Sequence, residues 1–114
     1  MLTQRPTLSD IEKARVRTKS IVKKTPILTS EYFNDLLGIE LFFKCENFQK
    51  TGSFKIRGAS NAVFSLTDDE AKQGVACQSS GNHGGAIACA AHLKGVHADI
   101  CLLYTSDAAD EEDS

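Results

Sequence analysis

The sequence predicts an α/β protein with a parallel sheet covered by helices, on the strength of three observations. Short apolar runs at Val75–Gln78 and Val96–Leu103 flank an alanine-rich segment, Gly85–Lys94, which Gly95 closes. Strand, small-residue turn, helix and strand in that order make a βαβ unit, and a crossover of that kind joins parallel strands. Upstream, segments of helical and of strand pattern alternate along the chain. Finally, 41% hydrophobic and 25% charged residues are the ordinary profile of a soluble globular protein.

The elements follow in order. Ser9-Asp10-Ile11-Glu12 fits a capping box, with the serine oxygen facing the N3 amide and the glutamate reaching back. Ile11, Ala14, Thr18, Ile21 and Val22 recur at helical spacing until Thr25-Pro26 ends the helix. Pro26–Leu28 reads as extended. Ser30 caps a short helix over Glu31–Leu37, closed by Gly38. Ile39–Cys45, rich in aromatic and β-branched residues, reads as a strand, and Asn47–Gly52 as a polar loop. Ser53 caps a helix holding Phe54, Ala59, Ala62, Val63 and Leu66, with Gly58 as its weak point. Thr67-Asp68-Asp69-Glu70 starts another short helix that ends at Gly74, and Ser79–Gly84 is the turn of the βαβ unit. There is no internal repeat.

Composition excludes several classes of function. A length of 114 residues allows at most one compact unit. Thirteen Lys and Arg against fifteen Asp and Glu leave a formal charge of −2, without the basic excess of a nucleic-acid binder. No apolar run approaches the roughly 20 residues of a membrane span, and no secretory leader opens the chain. Cys45, Cys77, Cys89 and Cys101 are scattered and form no C-x-x-C pair, so reduced thiols and a cytoplasmic location are expected. No His/Cys/Asp cluster has metal-ligand spacing. His92 and His97 read as surface residues.

Two segments can carry chemistry. In Lys50-Thr51-Gly52-Ser53-Phe54-Lys55-Ile56-Arg57-Gly58, Lys55 falls in the first turn of a helix between apolar neighbours. The positive end of the helix dipole and apolar flanks both disfavour a charged amine, and a neutral lysine can condense with a carbonyl. On this segment alone, the plainer reading of Lys55 is one surface lysine among nine. The second segment is Ser79-Ser80-Gly81-Asn82-His83-Gly84, after a strand and before a helix. Exposed amides at a helix start bind anions, and small residues let a carboxylate or phosphate approach. The plain reading is a polar turn with Ser or Asn as the cap.

Together, K-C-E-N-F-Q-K-T-G-S-F-K-I-R-G-A (Lys44–Ala59) and S-S-G-N-H-G resemble the fold-type II pyridoxal phosphate enzymes, closest to the serine racemases and serine/threonine dehydratases. The resemblance runs from about Ser9 to Ile100. It implies the tryptophan synthase β-like fold, a three-layer α/β/α arrangement with a parallel sheet, incomplete here. Residues 1–68 would form the N-terminal part of the large cofactor domain and 69–100 the start of a small α/β domain. It further implies that Lys55 links covalently to pyridoxal 5′-phosphate, with Phe54 packed near it. Asn82 would hydrogen-bond the ring's 3′ oxygen. Ser79, Ser80, Gly81 and His83 would help Asn82 hold the carboxylate of L-serine or L-threonine. A homodimer is expected for the full-length enzyme.

A racemase needs an acid/base on each face of the reacting carbon. The resemblance places Lys55 on one face and Ser80 on the other, which favours serine racemase with accompanying dehydration. The same Ser80 can instead only donate a hydrogen bond to the carboxylate. The resemblance carries an ATP site onto Ser30, Tyr32, Lys50 and Thr51, with ATP and Mg²⁺ as activators of the full-length protein. Glu31 and Gly85 depart from that pattern, and a carboxylate beside a polyphosphate is unfavourable. Glu12 matches a peripheral cation ligand, but the capping box already accounts for it.

The chain is expected to be an N-terminal fragment. Five acids and no base lie in residues 107–114, leaving 10 acids against 13 bases, about +3, in residues 1–106. Residues 101–114 are expected to be a disordered or non-native acidic tail. The run C-L-L-Y-T-S-D-A-A-D-E resembles a translated sequencing adapter, and the native sequence is expected to stop near Ile100. Alone, the fragment should bury too little to fold firmly and should bind the cofactor weakly. Two alternatives stand beside the racemase: a threonine or serine dehydratase releasing ammonia, and a non-catalytic truncated chain.

Overall fold

The computed structural model describes residues 4–102. Of the tail expected at 101–114, residues 103–114 lie outside the described residues, whereas Cys101 is the last residue of a strand. Helix α1 (Leu8–Thr18) begins at Thr7, whose hydroxyl accepts the Asp10 N–H while the Asp10 carboxylate accepts the Thr7 N–H at 2.8 Å. The capping box is therefore Thr7/Asp10 and not Ser9/Glu12. Both quartets fit the pattern, but the earlier one adds helical bonds and starts directly after Pro6, which cannot sit deeper in a helix. Glu12 is left as a residue of the helix body.

The helix stops at Thr18 rather than at Thr25. Ile21 and Val22 still donate to the Thr18 carbonyl, at 2.9 and 3.1 Å. Beyond them the Lys23 main chain bonds to the Gln49 side chain instead of continuing a helical ladder. Strand β1 (Ile27–Leu28) pairs antiparallel with β2 (Phe43–Lys44), Leu28 opposite Phe43. The strand expected over Ile39–Cys45 is thus only two residues long, because the Leu41 N–H goes to the Asn34 side chain and the partner strand is itself short. Between them, α2 (Glu31–Leu37) has Ser30 as its cap and Gly38 in the left-handed region at its end, as expected.

Two 3₁₀ turns, Glu46–Phe48 and Lys50–Gly52, occupy the predicted polar loop. Helix α3 (Lys55–Phe64) follows. Its N-cap position is Phe54, and Ser53 contributes a long bond at 3.4 Å from the Lys55 N–H. Helix α4 (Asp68–Gln73) starts after Thr67 and ends at Gly74 as its sequence predicts, and Thr67 and Glu70 close a capping box at its start. Strand β3 (Val75–Gln78) runs parallel to β4 (Ala98–Cys101), with Val75 opposite Ala98 and Gln78 opposite Cys101. The crossover between them is α5 (Asn82–Lys94), closed by Gly95. The βαβ unit is therefore present.

The core is the α3–α5 interface. Ile56, Ala59 and Val63 of α3 pack with Ala86, Ile87 and Ala90 of α5, joined by Ile21. Small residues let the two helices approach closely, and buried Ser60 returns its hydroxyl to the Ile56 carbonyl, so no polar atom is stranded. Phe54 and Ala62 fall outside this core. All four cysteines are free.

Candidate active site

Lys55 is the first residue of α3 and is exposed, its amine 5.3 Å from the centroid of the Phe54 ring. That ring is 60% exposed, so it flanks the lysine rather than packing into the core. The turn delivering Lys55 is unusual. Thr51 lies at φ +66° and Gly52 at φ +77°, two consecutive residues in the left-handed region. Glycine adopts it freely, whereas a β-branched residue does so only where its surroundings fix it.

The second segment begins where the sheet ends. The Ser79 N–H continues the ladder to the Cys101 carbonyl at 3.1 Å, and the Gly81 N–H turns back to the Ser79 hydroxyl at 3.3 Å. Helix α5 starts at Asn82, three residues earlier than its alanine-rich pattern suggests, so Asn82, His83 and Gly84 form its first turn. Gly84 makes this possible: a Cβ there would lie 2.6 Å from the Ser79 carbonyl oxygen and 3.1 Å from Ile100. Only glycine lets the helix begin so close to the strand it leaves. The N-cap is Gly81 and offers no side chain, so neither Ser nor Asn caps this helix. Its first intrahelical bond runs from Gly85 N–H to Gly81 C=O, leaving the Asn82 and His83 amides available to an anion. Ser80, Gly81, Asn82 and His83 are exposed, and Ser79 is half-buried.

Helix α5 packs against both α3 and the 3₁₀ turn Lys50–Gly52, so the two segments belong to one packed unit. Among their donors are an amine able to condense with an aldehyde, an amide suited to a ring oxygen, and open main-chain amides suited to a carboxylate. These fit the reactive end and the ring of pyridoxal phosphate. The residues predicted for a nucleotide sit on different elements. Ser30 uses its oxygen to accept the Phe33 N–H, and Tyr32 is exposed edge-on to the Phe33 ring. Lys50 and Thr51 lie in the turn before α3, where the Lys50 N–H bonds to Gln49. Helix α2 does not pack extensively on that turn.

Sequence reasoning missed a polar cluster behind Lys55. The Glu46 carboxylate accepts from Arg57 Nε and, at 3.3 Å, from Arg57 Nη2. It also accepts from the Thr25 hydroxyl at 2.6 Å and from Gln49 Nε2 at 3.4 Å. The Arg57 hydrogen bond, ahead of those from Thr25 and Gln49, holds the Glu46 carboxyl at about 2, and the same pair raises Arg57. All but Thr25 lie inside or beside the lysine motif. Their types were visible, but spacing alone does not say which carboxylate meets which base. Among the described residues no group of three His, Cys, Asp or Glu side chains could hold a metal ion.

Residues 18–112 match the family model described as pyridoxal-phosphate dependent enzyme. The β-hydroxyaspartate dehydratase of Paracoccus denitrificans is 48% identical over 94% of this chain and 34% of its own length. The serine racemase of Dictyostelium discoideum is 53% identical over 77% of this chain and 27% of its own. A crystal structure of serine racemase from Dictyostelium discoideum superposes with a TM-score of 0.84 at 45% identity, over 93% of this chain and 35% of that one. The chain spans about a third of the length of the curated relatives it matches. By motif, fold and family match, the chain belongs to the pyridoxal-phosphate dependent enzymes of fold type II.

Proposed function

We propose that the enzyme to which this segment belongs racemises L-serine to D-serine and also dehydrates β-hydroxy amino acids, with Lys55 and Ser80 as its proton-transferring pair. One observation carries the reading. Lys55 opens α3, Ser79–Gly84 opens α5, and α5 packs on both α3 and the turn that delivers Lys55. Lys55 would hold pyridoxal phosphate through its amine, with Phe54 alongside and Asn82 on the ring oxygen. When bound, that cofactor supplies the electron sink that weakens the substrate's Cα–H bond. Once the substrate's amine has displaced it from the cofactor, Lys55 Nζ would be free to take the Cα proton from one face, and Ser80 Oγ would return a proton from the other. Ser79, Gly81, Asn82 and His83 orient the carboxylate, aided by the open amides at the start of α5.

For the complete enzyme we further propose a cytoplasmic homodimer, with residues 1–68 in the larger cofactor domain and 69–100 opening the smaller one, the two meeting at the α3–α5 core. Activation by ATP through Ser30, Tyr32, Lys50 and Thr51, with Mg²⁺, is disfavoured. Ser30 is engaged as a cap, and Glu31 puts a carboxylate in the first turn of α2.

A second reading is an ammonia-lyase acting on 3-hydroxyaspartate. The similarity of the Paracoccus dehydratase over 94% of this chain supports it. The test uses the full-length enzyme. Borohydride reduction with pyridoxal phosphate should fix a mass gain on Lys55. A chiral assay should then find D-serine that vanishes in Ser80→Ala while pyruvate formation from serine persists. Absence of D-serine in the parent ends the racemase reading. Ammonia release from 3-hydroxyaspartate far above that from serine would replace it with the second.

A further inference from the structure

We propose that Glu46, Gln49 and Arg57 form a clamp that positions Lys55, acting through the turn that carries the lysine and not on the substrate. The inference rests on the reading of Lys55 as the amine that holds the cofactor. Between residues 46 and 57 the chain makes the left-handed turn at Thr51 and Gly52. Such a turn persists only when its flanks are fixed, and here both are.

Upstream, Gln49 is 3% exposed and uses both ends of its amide on one residue. Its Oε1 accepts the Lys23 N–H at 2.7 Å, and its Nε2 donates to the Lys23 carbonyl at 2.8 Å. The same Oε1 accepts the Lys50 N–H at 3.0 Å. Downstream, Arg57 lies in the first turn of α3, two residues past Lys55, and bonds through Nε and Nη2 to Glu46. Buried Thr25 donates to Glu46 Oε2, the oxygen that Arg57 Nη2 and Gln49 Nε2 also reach. The lysine turn is therefore closed at its base against the Lys23 main chain and the Thr25 hydroxyl.

The planar guanidinium matters here. Its two bonds to one carboxylate fix the rotation of the first turn of α3, which a single point charge would not. With the Glu46 carboxyl at about 2, the pair stays ionised through the neutral range, so the clamp is constant rather than a pH switch. Arg57 is also engaged by Glu46, which leaves it a positioning residue and not an anion receptor.

The experiment uses the full-length enzyme loaded with pyridoxal phosphate and the variants Glu46→Gln and Arg57→Lys. Misplacing a reacting group by about 1 Å costs on the order of 100-fold. Both variants should lose roughly that factor in kcat with KM within about threefold. The pH at which the bound cofactor's absorbance titrates should also move away from the parent's. Thr67→Ala, which removes a distant cap, serves as the control for a merely structural loss and should leave that titration unmoved. If Glu46→Gln is insoluble, Arg57→Lys decides, because it keeps the charge and removes only the fork. Parent-like titration and kcat within about twofold in Arg57→Lys overturn the clamp. A parent in which borohydride fixes no cofactor on Lys55 overturns the reading beneath it, and the clamp with it.

Discussion

Helices α1, α2 and α4 each begin with a threonine or serine whose oxygen accepts an amide of the first turn, whereas α3 and α5 begin at Phe54 and Gly81 without one. The two groups differ equally in burial. The capped helices bury almost nothing: Thr18 in α1, and no residue in α2 or α4. The uncapped pair holds the core, from Ile56, Ala59, Ser60 and Val63 to Ala86, Ile87, Ala90 and Ala91. Local hydrogen bonds define the first group, and tertiary packing holds the second. Packing frees α3 and α5 from needing a cap, so their first residues, Lys55 and Asn82, are available for chemistry.

The division breaks most visibly at the packed pair. Ile56 is fully buried between α3 and α5. Ile56→Ala should cost about 2–5 kcal/mol, read from the urea midpoint of the full-length enzyme. Gly84→Ala drives a methyl into the Ser79 carbonyl and should cost about 1–3 kcal/mol. It should also push the start of α5 away from β3 and weaken anion binding there. Gly58→Ala tests the opposite sign, since nothing lies within 4 Å of a Cβ at that position in α3. It should stabilise by up to about 1 kcal/mol. A loss of stability there would mean that this face of α3 is covered in the complete enzyme.

Local rules were the legible part of the sequence. Ser30, Gly38, the helix start at Thr67, Gly74 and Gly95 are all legible because a cap needs only residues within one turn. The βαβ unit was legible for the same reason, its apolar runs being short and well bounded. Apart from two local caps, Thr7 in place of Ser9 and Phe54 in place of Ser53, the differences fall where distant groups decide. The end of α1 depends on Gln49 taking the Lys23 main chain, twenty-six residues away. The shortness of β2 depends on Asn34 capturing the Leu41 N–H. The early start of α5 depends on what lies beneath Gly84. Of the candidate site, Lys55 and Ser79–Gly84 stand out by motif alone, whereas the Glu46–Arg57 pair needs the fold to bring it together.

Acid sharpens the contrast between pair and caps. Glu46 titrates at about 2 in the folded protein against an ordinary 4.5, principally through Arg57. A carboxylate depressed on folding contributes stability fully present above its unfolded value and lost as pH falls toward the folded one. The window therefore runs from about 4.5 down to about 2. Asp10 and Glu70 are lowered in the same direction by the main-chain and hydroxyl groups of Thr7 and Thr67. Arg57→Gln should flatten the part of the acid profile that belongs to Glu46 and leave the part from the two caps. A profile unchanged by Arg57→Gln would show that the ion pair is not what lowers Glu46.

The smallest effects belong to the capped helices, and their smallness is informative. Thr67→Ala removes the hydroxyl that accepts the Glu70 N–H at 3.3 Å, yet the Thr67 N–H still reaches the Glu70 carboxylate. The loss should be about 1 kcal/mol in thermal or urea unfolding. One step further out, Lys72→Ala breaks a pair with Asp69 whose side chains are 77% and 91% exposed. Solvent screens that pair, so its loss should not be measurable. An effect of Lys72→Ala as large as that of Thr67→Ala would mean that α4 is covered rather than peripheral in the complete enzyme. The division between capped outer helices and packed site-bearing ones would then hold only for this segment.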